Sequence, residues 1–304
     1  MASRGLRTGR TGRAPARRSD LRTAPRGGPR RIAAAGLVAA LATGAWAPVL
    51  EDPAAAATLP DVTCTTADLA LGYGLLVDIA AALGAHESTA AVFVEDRSNG
   101  TRCEVRADRA YDSASVVKVV VLGTLLREAE RQGRRLTDRE AALARAMVTR
   151  SDNAATDALW RQLGAGRIAA FCAAAGMADT VPGRAGHWGL TRITARDTGA
   201  LLRLLTTANP VLGDASRTHA LRLLREVVPA QRWGTPAGAP ATATVHVKNG
   251  WLPRASHGWR VHSAGAFTDG GRDYTVTVLT EDNATMADGV ATVEAVARAL
   301  HRRL

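Results

Sequence analysis

Lysine is almost absent from this chain of 304 residues: of its 39 basic side chains, only two are lysines, Lys118 and Lys248, and the other 37 are arginines. Arginine can replace lysine on most surfaces, but a guanidinium keeps its proton, whereas a buried lysine amine can release it. A composition rich in Ala, Arg and Gly explains why lysine is rare. It does not explain where these two stand, so both are candidates for chemistry.

Aromatic residues are also scarce, at 4% of the chain, and the formal net charge of +11 is concentrated at one end. Residues 1–57 contain ten arginines and three acidic residues, whereas residues 58–304 contain 29 basic and 25 acidic ones, a net charge of +4. A nucleic-acid-binding protein is expected to carry its positive charge on the folded domain, interleaved with aromatic side chains. We therefore expect no nucleic-acid partner.

Cysteine occurs three times, as Cys64, Cys103 and Cys172, and no Cys/His spacing suits a structural zinc site. The seven histidines are scattered, so we predict no metal site and no cofactor. Cys64 and Cys103 flank the first predicted helix and strands and could form a disulfide near the edge of the domain, if the protein is exported. Cys172 lies in an apolar run and is interpreted as a buried small hydrophobic residue.

The basic N-terminal region has the three parts of an export signal. An arginine-rich segment ends at Arg30-Arg31, an apolar stretch covers residues 32–50, and four alanines, Ala54 to Ala57, offer a signal-peptidase site. The alternative is an uncleaved anchor, since such a stretch could just span a bilayer. The alanine cluster and the modest hydrophobicity favour cleavage. We predict that residues 1–57 are a Sec or twin-arginine export signal, and that the mature protein is secreted or associated with the cell envelope without stable membrane insertion.

Hydrophobic periodicity in residues 58–304 predicts an α+β fold with two lobes. Strands are expected over 90–95 and through 103–105, then over 244–247, 259–267 and 274–280. Helices are expected over 69–83, 116–126, from 137, over 153–163, 167–175, 194–205, 220–227 and 290–300. Strands at both ends with helices between them imply one antiparallel sheet built from both termini and covered by helices, plus an all-helical lobe.

A serine and one of the two lysines stand three residues apart at the head of an apolar helix, as Ser115-Val116-Val117-Lys118. Positions i and i+3 share a helix face, so the amine can lie beside the hydroxyl. Burial among valines should lower the pKa of Lys118 and make a neutral amine available as a general base. The pattern alone is weak; the neighbouring Ser113 has no lysine three residues later.

Two further motifs make the pattern more specific. Ser151-Asp152-Asn153 opens a predicted helix, where an ordinary N-cap is the simpler interpretation. Lys248-Asn249-Gly250 closes a predicted strand, where a turn or edge lysine is the simpler interpretation. The three motifs in this order, on helix, helix and strand, are harder to obtain by chance than any one of them.

With these motifs the chain resembles the penicillin-recognising serine hydrolases, most closely the class A β-lactamase-like branch, which is marked by Ser-x-x-Lys, Ser-Asp-Asn and Lys-Thr-Gly. The resemblance implies a β-lactamase/transpeptidase-like fold and an acyl-enzyme on Ser115, with Lys118 as its base or proton partner. It implies that Ser151 passes a proton to the leaving nitrogen, and that Asn153 holds the substrate amide and orients Lys118. Lys248 would steady Ser151 and attract the substrate carboxylate.

The same resemblance implies a substrate-binding strand. Asn249 and Gly250 would line it, and the backbone amides of Ser115 and Trp251 would hold the oxyanion. Arg260, on the next strand, is either a second carboxylate anchor or an ordinary surface arginine.

The chain departs from the family in the loop after the second motif. Class A enzymes carry a glutamate there that activates the water for deacylation, but no glutamate occurs here between Glu140 and Glu226. In the matching loop, residues 177–190, only Asp179 and His187 could serve as a base. We therefore expect acylation to be intact and deacylation of penicillins to be slow.

Two smaller departures concern the substrate cleft. Asn249 stands where the family has Thr or Ser, which replaces a hydroxyl by a carboxamide at the carboxylate subsite. The interval between Ser115 and Ser151 is short for the family, which predicts a reduced helical lobe and a more open cleft.

Three functions stay open at this point. The first is a β-lactamase-like hydrolase, and the second is a related acyl-transfer enzyme such as a D-Ala-D-Ala peptidase or an esterase. The third is a non-catalytic penicillin-binding or sensing domain, which would have no need of both lysines. The expected substrate is a small molecule or a peptidoglycan-type compound, and the protein is expected to be a monomer.

Overall fold

The computed structural model describes residues 61–304, and it contains a six-stranded antiparallel sheet in the order β1-β3-β2-β8-β7-β6. Its strands are β1 (Val62–Thr65), β2 (Thr89–Asp96), β3 (Thr101–Val105), β6 (Thr244–Pro253), β7 (Trp259–Asp269) and β8 (Arg272–Asn283). Two short strands, β4 (Tyr111–Asp112) and β5 (Arg192–Ile193), pair separately. Strands from both ends of the domain thus form one sheet, and the predicted α+β fold is confirmed.

Within residues 61–304, seven α-helices accompany the sheet. They are α1 (Leu69–Gly84), α2 (Val117–Arg131), α3 (Asp138–Thr149), α4 (Asn153–Ala174), α5 (Ala195–Thr206), α6 (Asp214–Arg225) and α7 (Met286–His301). No helix in the described part of the chain combines the length and apolar character that a membrane span requires. The predicted leader, residues 1–57, lies outside the described residues.

The sheet is buried on both faces, as its central strand β2 shows. Ala90, Val92 and Val94 belong to the core shared with α1 and α7, whereas the intervening Ala91 and Phe93 belong to a second core with α5. Alternate residues of a strand point to opposite faces, so a continuous apolar run is expected where both faces are covered.

A separate core holds the helical lobe together, with α2 at its centre. Val117 to Leu126 of this helix are all buried, polar members included. A helix that is apolar on every side is stable only when neighbours surround it, and here α3, α4 and α6 do so. The smaller size expected of this lobe relative to the family stays a prediction.

Helix caps explain which predicted helix limits were right. Thr137 and Thr194 cap α3 and α5 as expected, with side-chain oxygens that accept from Glu140 and Asp197 backbone N–H groups. The predicted start of α7 was wrong, because Thr285 and Asp288 form a capping box that was missed.

The start predicted for α6 at residue 220 was also wrong, because the helix begins at Asp214. Its N-terminus has no side-chain cap of its own. Instead, the Glu130 carboxylate at the end of α2 accepts the Gly213 N–H at 3.0 Å. A partner more than 80 residues away leaves no local signal in the sequence.

The cysteine predictions are confirmed. Cys64 and Cys103 form a disulfide between the paired strands β1 and β3, at the edge of the sheet. Cys172 is a free thiol buried in the helical core. The break expected at Gly164 is also present, since this residue has φ 76° and ψ 153° between two helical segments of α4.

Candidate active site

A cleft of about 520 Å³ opens between the helical lobe and strand β6. Ser115, Ser151, Asn153 and Trp251 all line it. Residues from the first two predicted motifs, and the residue that follows the third, therefore meet in one place, although they come from sequence positions more than 130 residues apart.

Ser115 lies in a single 3-10 turn that leads into α2. The preceding Ala114 has φ 47°, a left-handed conformation that is strained for a residue with a Cβ. The turn is tied to the loop across the cleft, because the Ser113 N–H donates to the Thr191 carbonyl at 2.8 Å. The strained backbone presents a half-buried Ser115 hydroxyl at the positive end of a helix.

Lys118 is fully buried one turn along α2. Its amine donates to the Ser151 carbonyl at 2.6 Å, to the Ser151 hydroxyl at 3.1 Å and to the Asn153 side-chain oxygen at 2.8 Å. Burial lowers its pKa to about 8, against the opposing charges of Asp152 and Asp157. Among the described residues, no hydrogen bond joins the Lys118 amine to the Ser115 hydroxyl.

Lys248 reaches the same serine from the sheet. Its amine donates to the Ser151 hydroxyl at 3.1 Å and to the Asn249 carbonyl at 2.6 Å. Burial, and then the positive charge of Lys118, hold its pKa well below the ordinary value. The two lysines of the chain thus converge on one hydroxyl.

Ser151 occupies an unusual position in the backbone. Its φ is 55°, and the true N-cap of α4 is Asp152, whose carboxylate accepts the Ala155 N–H at 2.7 Å. The expectation that the motif begins a helix is right, but Ser151 stands just outside it. The left-handed turn points the hydroxyl at the two amines rather than at the helix.

Strand β6 does not end at Lys248, as the sequence suggested, but continues to Pro253. The Asn249-Gly250 pair, a common turn signal, has another purpose here. A Cβ at Gly250 would lie 2.7 Å from the Ser115 nitrogen and 2.9 Å from the Val116 nitrogen. Glycine therefore allows the strand to approach the head of α2 closely, next to Trp251.

The Asn249 side chain does not line the cleft. Its amide nitrogen donates to the backbone carbonyls of Gln231 and Trp233, at 3.0 and 2.8 Å. The carboxamide thus ties β6 to the loop before it, and it is 1% exposed. The structure does not bring Asn249 to the substrate cleft through its side chain.

Arg260 is neither a surface arginine nor part of the cleft lining. It is 3% exposed, and its guanidinium lies 3.7 Å from Asp112 and 3.8 Å from Glu281. Both carboxylates compensate the charge of the Arg260 guanidinium. The guanidinium groups that do line the cleft belong to Arg150 and Arg254, and that of Arg254 lies 3.4 Å from Asp112.

A family model described as the beta-lactamase enzyme family matches residues 75–142 and 131–304. These segments cover most of the chain. The chain belongs to the beta-lactamase enzyme family. A comparison with curated protein sequences found no significant match.

Solved structures of class A β-lactamases share the fold. A putative class A β-lactamase, PenP from Rhodopseudomonas palustris, superimposes with a TM-score of 0.67 at 21% identity, covering 76% of this chain and 99% of that one. An ancestral class A β-lactamase gives 0.65 at 23% identity, covering 76% and 100%. A structure of PBP-A gives 0.66 at 20% identity, covering 75% and 94%.

The loop of residues 177–190, where class A β-lactamases carry their glutamate, contains both bases proposed from sequence. Only one of the two lines the cleft. His187 lies exposed at the rim of the cleft. Asp179 is exposed but does not line the cleft; its N–H instead donates to the Asp197 carboxylate at 3.0 Å. Trp188, from the same loop, covers Lys118, with the amine 4.8 Å from the ring centre.

Sequence reasoning missed three charged residues of the cleft: Arg150, Arg254 and its one carboxylate among the described residues, Asp157. The Asp157 carboxylate accepts the indole N–H of Trp188 at 2.7 Å. A signal was present, because Asp157 follows Asn153 by four residues and so shares its face of α4. An exposed helical aspartate is too common to be noticed without the cleft around it.

Outside the cleft, ligand atoms of His257, Glu281 and Asp282 lie within 4.8 Å of one another. Glu281 already pairs with Arg109 at 2.6 Å and faces Arg260. Because guanidinium groups compensate the charge of Glu281, we interpret this group as an ion-pair network at the C-terminal end of β8.

Proposed function

We propose that this protein is a serine hydrolase of the β-lactamase type, acylated at Ser115 and acting on β-lactams or related amides and esters. One observation carries the proposal. The amines of Lys118 and Lys248 both lie 3.1 Å from the Ser151 hydroxyl, in a cleft that Ser115 also lines. Burying two lysine amines around one hydroxyl costs free energy, and proton transfer in an acyl-transfer site explains why the arrangement is present.

Acylation begins with the proton of Ser115. With its pKa lowered to about 8, Lys118 is partly neutral near pH 7 and can accept this proton while Ser115 Oγ attacks the substrate carbonyl. Negative charge then develops on the carbonyl oxygen. The backbone amides of Ser115 and Trp251, beside the α2 N-terminus, are the proposed donors to it.

Expulsion of the leaving group needs a proton at its nitrogen. Ser151 is the proposed donor, because it accepts hydrogen bonds from both lysines and can be reprotonated by either. Asn153 holds Lys118 in place through its side-chain oxygen and offers its amide N–H₂ to the substrate. Lys248 and the exposed guanidinium of Arg254 supply positive charge for a substrate carboxylate.

Slow deacylation is part of the proposal. The loop of residues 177–190 contains no glutamate, and of its two candidate bases only His187 lines the cleft. Because the imidazole of His187 is exposed at the rim of the cleft, it is poorly positioned to activate a water for deacylation. We therefore expect penicillins to leave a long-lived ester on Ser115.

A D-Ala-D-Ala peptidase or esterase is the second candidate. Two observations favour it: the missing loop glutamate and the likeness in fold to PBP-A. A non-catalytic penicillin-binding domain is less well supported, because lowered pKa values at both lysines serve proton transfer and not binding alone.

Export is proposed from residues 1–57, whose basic, apolar and alanine-rich segments follow each other in the order of a signal. A β-lactam or peptidoglycan-type substrate lies outside the cytoplasm, which agrees with that proposal. N-terminal sequencing of protein secreted by a bacterial host should find a start near Thr58.

The test of function is an activity panel on the purified protein. It compares a chromogenic cephalosporin, a thioester and a D-Ala-D-Ala peptide, with Ser115→Ala beside the wild type and Ser113→Ala as the matched control. We expect turnover of at least one substrate that is lost in Ser115→Ala and retained in Ser113→Ala. Equal activity of Ser115→Ala and the wild type would refute the proposal.

A further inference from the structure

Asp157 is the one carboxylate among the described residues that line the cleft. The other charged side chains there are Arg150 and Arg254, and the buried amines of Lys118 and Lys248 lie behind its floor. Asp157 belongs to α4, one turn beyond Asn153, which places it on a rigid element rather than on a loop.

The position of this carboxylate is fixed from one side only. The indole N–H of Trp188 donates to Asp157 Oδ1 at 2.7 Å. The Asp157 side chain is otherwise exposed to the cleft, so its second oxygen can contact a water there. A carboxylate with one oxygen fixed by a hydrogen bond and the other in contact with water has the geometry of a general base.

The same indole links Asp157 to the acylation machinery. The Trp188 ring lies over the Lys118 amine at 4.8 Å, and Lys118 in turn is bound to Ser151 and Asn153. Asp157 therefore lies at the nitrogen edge of the same Trp188 ring whose face covers the amine that serves Ser115. The two bases proposed from the loop do not share this placement, since Asp179 does not line the cleft and His187 lies exposed at its rim.

We propose that Asp157 is the general base that hydrolyses the acyl-enzyme on Ser115. This inference rests on the proposed function, because it presupposes that an ester forms there. It assigns to a residue of α4 the role that the loop of residues 177–190 leaves open.

In the proposed step, Asp157 takes one proton from a water as the water oxygen forms a bond to the ester carbon. The carbonyl π electrons move to oxygen and give a tetrahedral intermediate. The intermediate re-forms its carbonyl and expels Ser115 Oγ, which receives a proton from Lys118. A carboxylic acid leaves and loses its proton to solvent, and the proton on Asp157 passes through solvent to the neutral Lys118, so that both groups are restored and one water is consumed for each ester.

A purely structural role for Asp157 is the competing explanation: the carboxylate would only anchor Trp188 over the cleft. Asp157→Asn separates the two. An asparagine oxygen can still accept the indole N–H, but it cannot take a proton from water. Trp188→Phe is the complementary variant, since it removes the indole donor and leaves the carboxylate.

The experiment measures the formation and the loss of the Ser115 ester separately, by intact-protein mass after rapid mixing with a penicillin and after removal of excess penicillin. For Asp157→Asn we expect unchanged or faster acylation, because a negative charge that holds protons on Lys118 is removed. Loss of the ester should slow by about 100-fold, the size of a typical general-base contribution. Asp157→Glu should recover part of that rate, and hydroxylamine, which needs no base, should clear the Asp157→Asn adduct.

Three results would overturn the inference: a wild-type ester that never clears, an Asp157→Asn ester that clears at the wild-type rate, or a Trp188→Phe variant that loses as much deacylation as Asp157→Asn. A wild type that forms no ester with any substrate of the panel refutes the proposed function itself. The two failures are distinguishable, because only the second abolishes acylation.

Discussion

Lys118 and Lys248 share a single hydrogen-bond acceptor, and this shapes the chemistry of both. Each Nζ lies 3.1 Å from the Ser151 hydroxyl, so the two nitrogens are within about 6 Å of each other, a range in which like charges disfavour one another. Burial lowers the pKa of both amines, and the positive charge of Lys118 lowers that of Lys248 further. The site thereby keeps one amine ready to accept a proton near neutral pH.

The first prediction concerns Lys118→Arg. A guanidinium preserves the charge but cannot act as a base, so acylation should slow by about 100-fold or more. For the wild type, the neutral amine becomes more abundant as the pH rises. The acylation rate should therefore increase up to about pH 8, the lowered pKa of Lys118, and level off above it.

Adduct formation followed by mass at pH 5.5 to 9.5 checks this prediction. Arg127→Lys, a change on the solvent side of the same helix, is the control for substitution in α2. A wild-type rate that falls between pH 6 and 8 would contradict the assignment of Lys118 as the base.

The second prediction concerns Gly250→Ala. The added Cβ would lie under 3 Å from the backbone nitrogens of Ser115 and Val116, so either β6 or the head of α2 must move. Since both carry site residues, acylation should slow by about 100-fold, because small displacements of reacting groups are expensive. Gly189→Ala, also in the cleft but with its nearest contact at 4.0 Å, is the matched control and should retain most of the activity.

Individual side chains were predictable from the sequence where a local rule governs them. The burial of Lys118 follows from the valines around it, and the Thr137 and Thr194 caps follow from helix chemistry. The orientation of the Asn249 side chain was not predictable from the sequence, because its hydrogen-bond partners are carbonyls in a preceding loop. Asp157 was missed for the same reason: its partner Trp188 is 31 residues away.

In helix α4, a single glycine changes the direction of the helix. Gly164 has φ 76° and ψ 153°, a region that residues with a Cβ avoid, and it separates the segment carrying Asn153 and Asp157 from the segment carrying Cys172. The break lets the second segment turn toward the core of the helical lobe. A sequence pattern predicts such a break from the glycine, but not its angle.

The third prediction compares two glycines of α4. Gly164→Ala should lower the free energy of unfolding by about 1 to 3 kcal/mol, the cost of forcing a side chain into that backbone region. Gly166→Ala, two residues later in helical conformation with open space around it, should be neutral or raise it by up to about 1 kcal/mol. Urea unfolding of the two variants measures this, and an equal effect of both would contradict the proposed break.

The fourth prediction concerns strand β1, which is held to β3 both by backbone pairing and by the Cys64–Cys103 disulfide. Replacing both cysteines by alanine should lower the free energy of unfolding by about 2 to 4 kcal/mol, because a loop of 39 residues loses its closure in the unfolded chain. β1 lies at the far edge of the sheet from β6. Acylation should therefore be unchanged, and a large loss of acylation would contradict this separation.

At the scale of the whole molecule, the arrangement of two lobes follows from the order of patterns along the chain. Period-two segments at both ends predict a shared sheet, and the apolar helix between them predicts a buried centre for the helical lobe. The hydrophobic pattern could not predict the register in which the strands pair. The continuation of β6 to Pro253 depends on pairing with β7, such as Trp251 with Val261, which no local signal specifies.

The account depends most on the claim that Ser115 is acylated, and one measurement tests that claim directly. The purified protein is mixed with a penicillin and digested, and the peptide that carries the added mass is sequenced by tandem mass spectrometry. The account predicts one adduct per chain, located on Ser115 and absent from Ser115→Ala. An adduct on Ser151 or Ser113, or none while the cleft residues are intact, would contradict it.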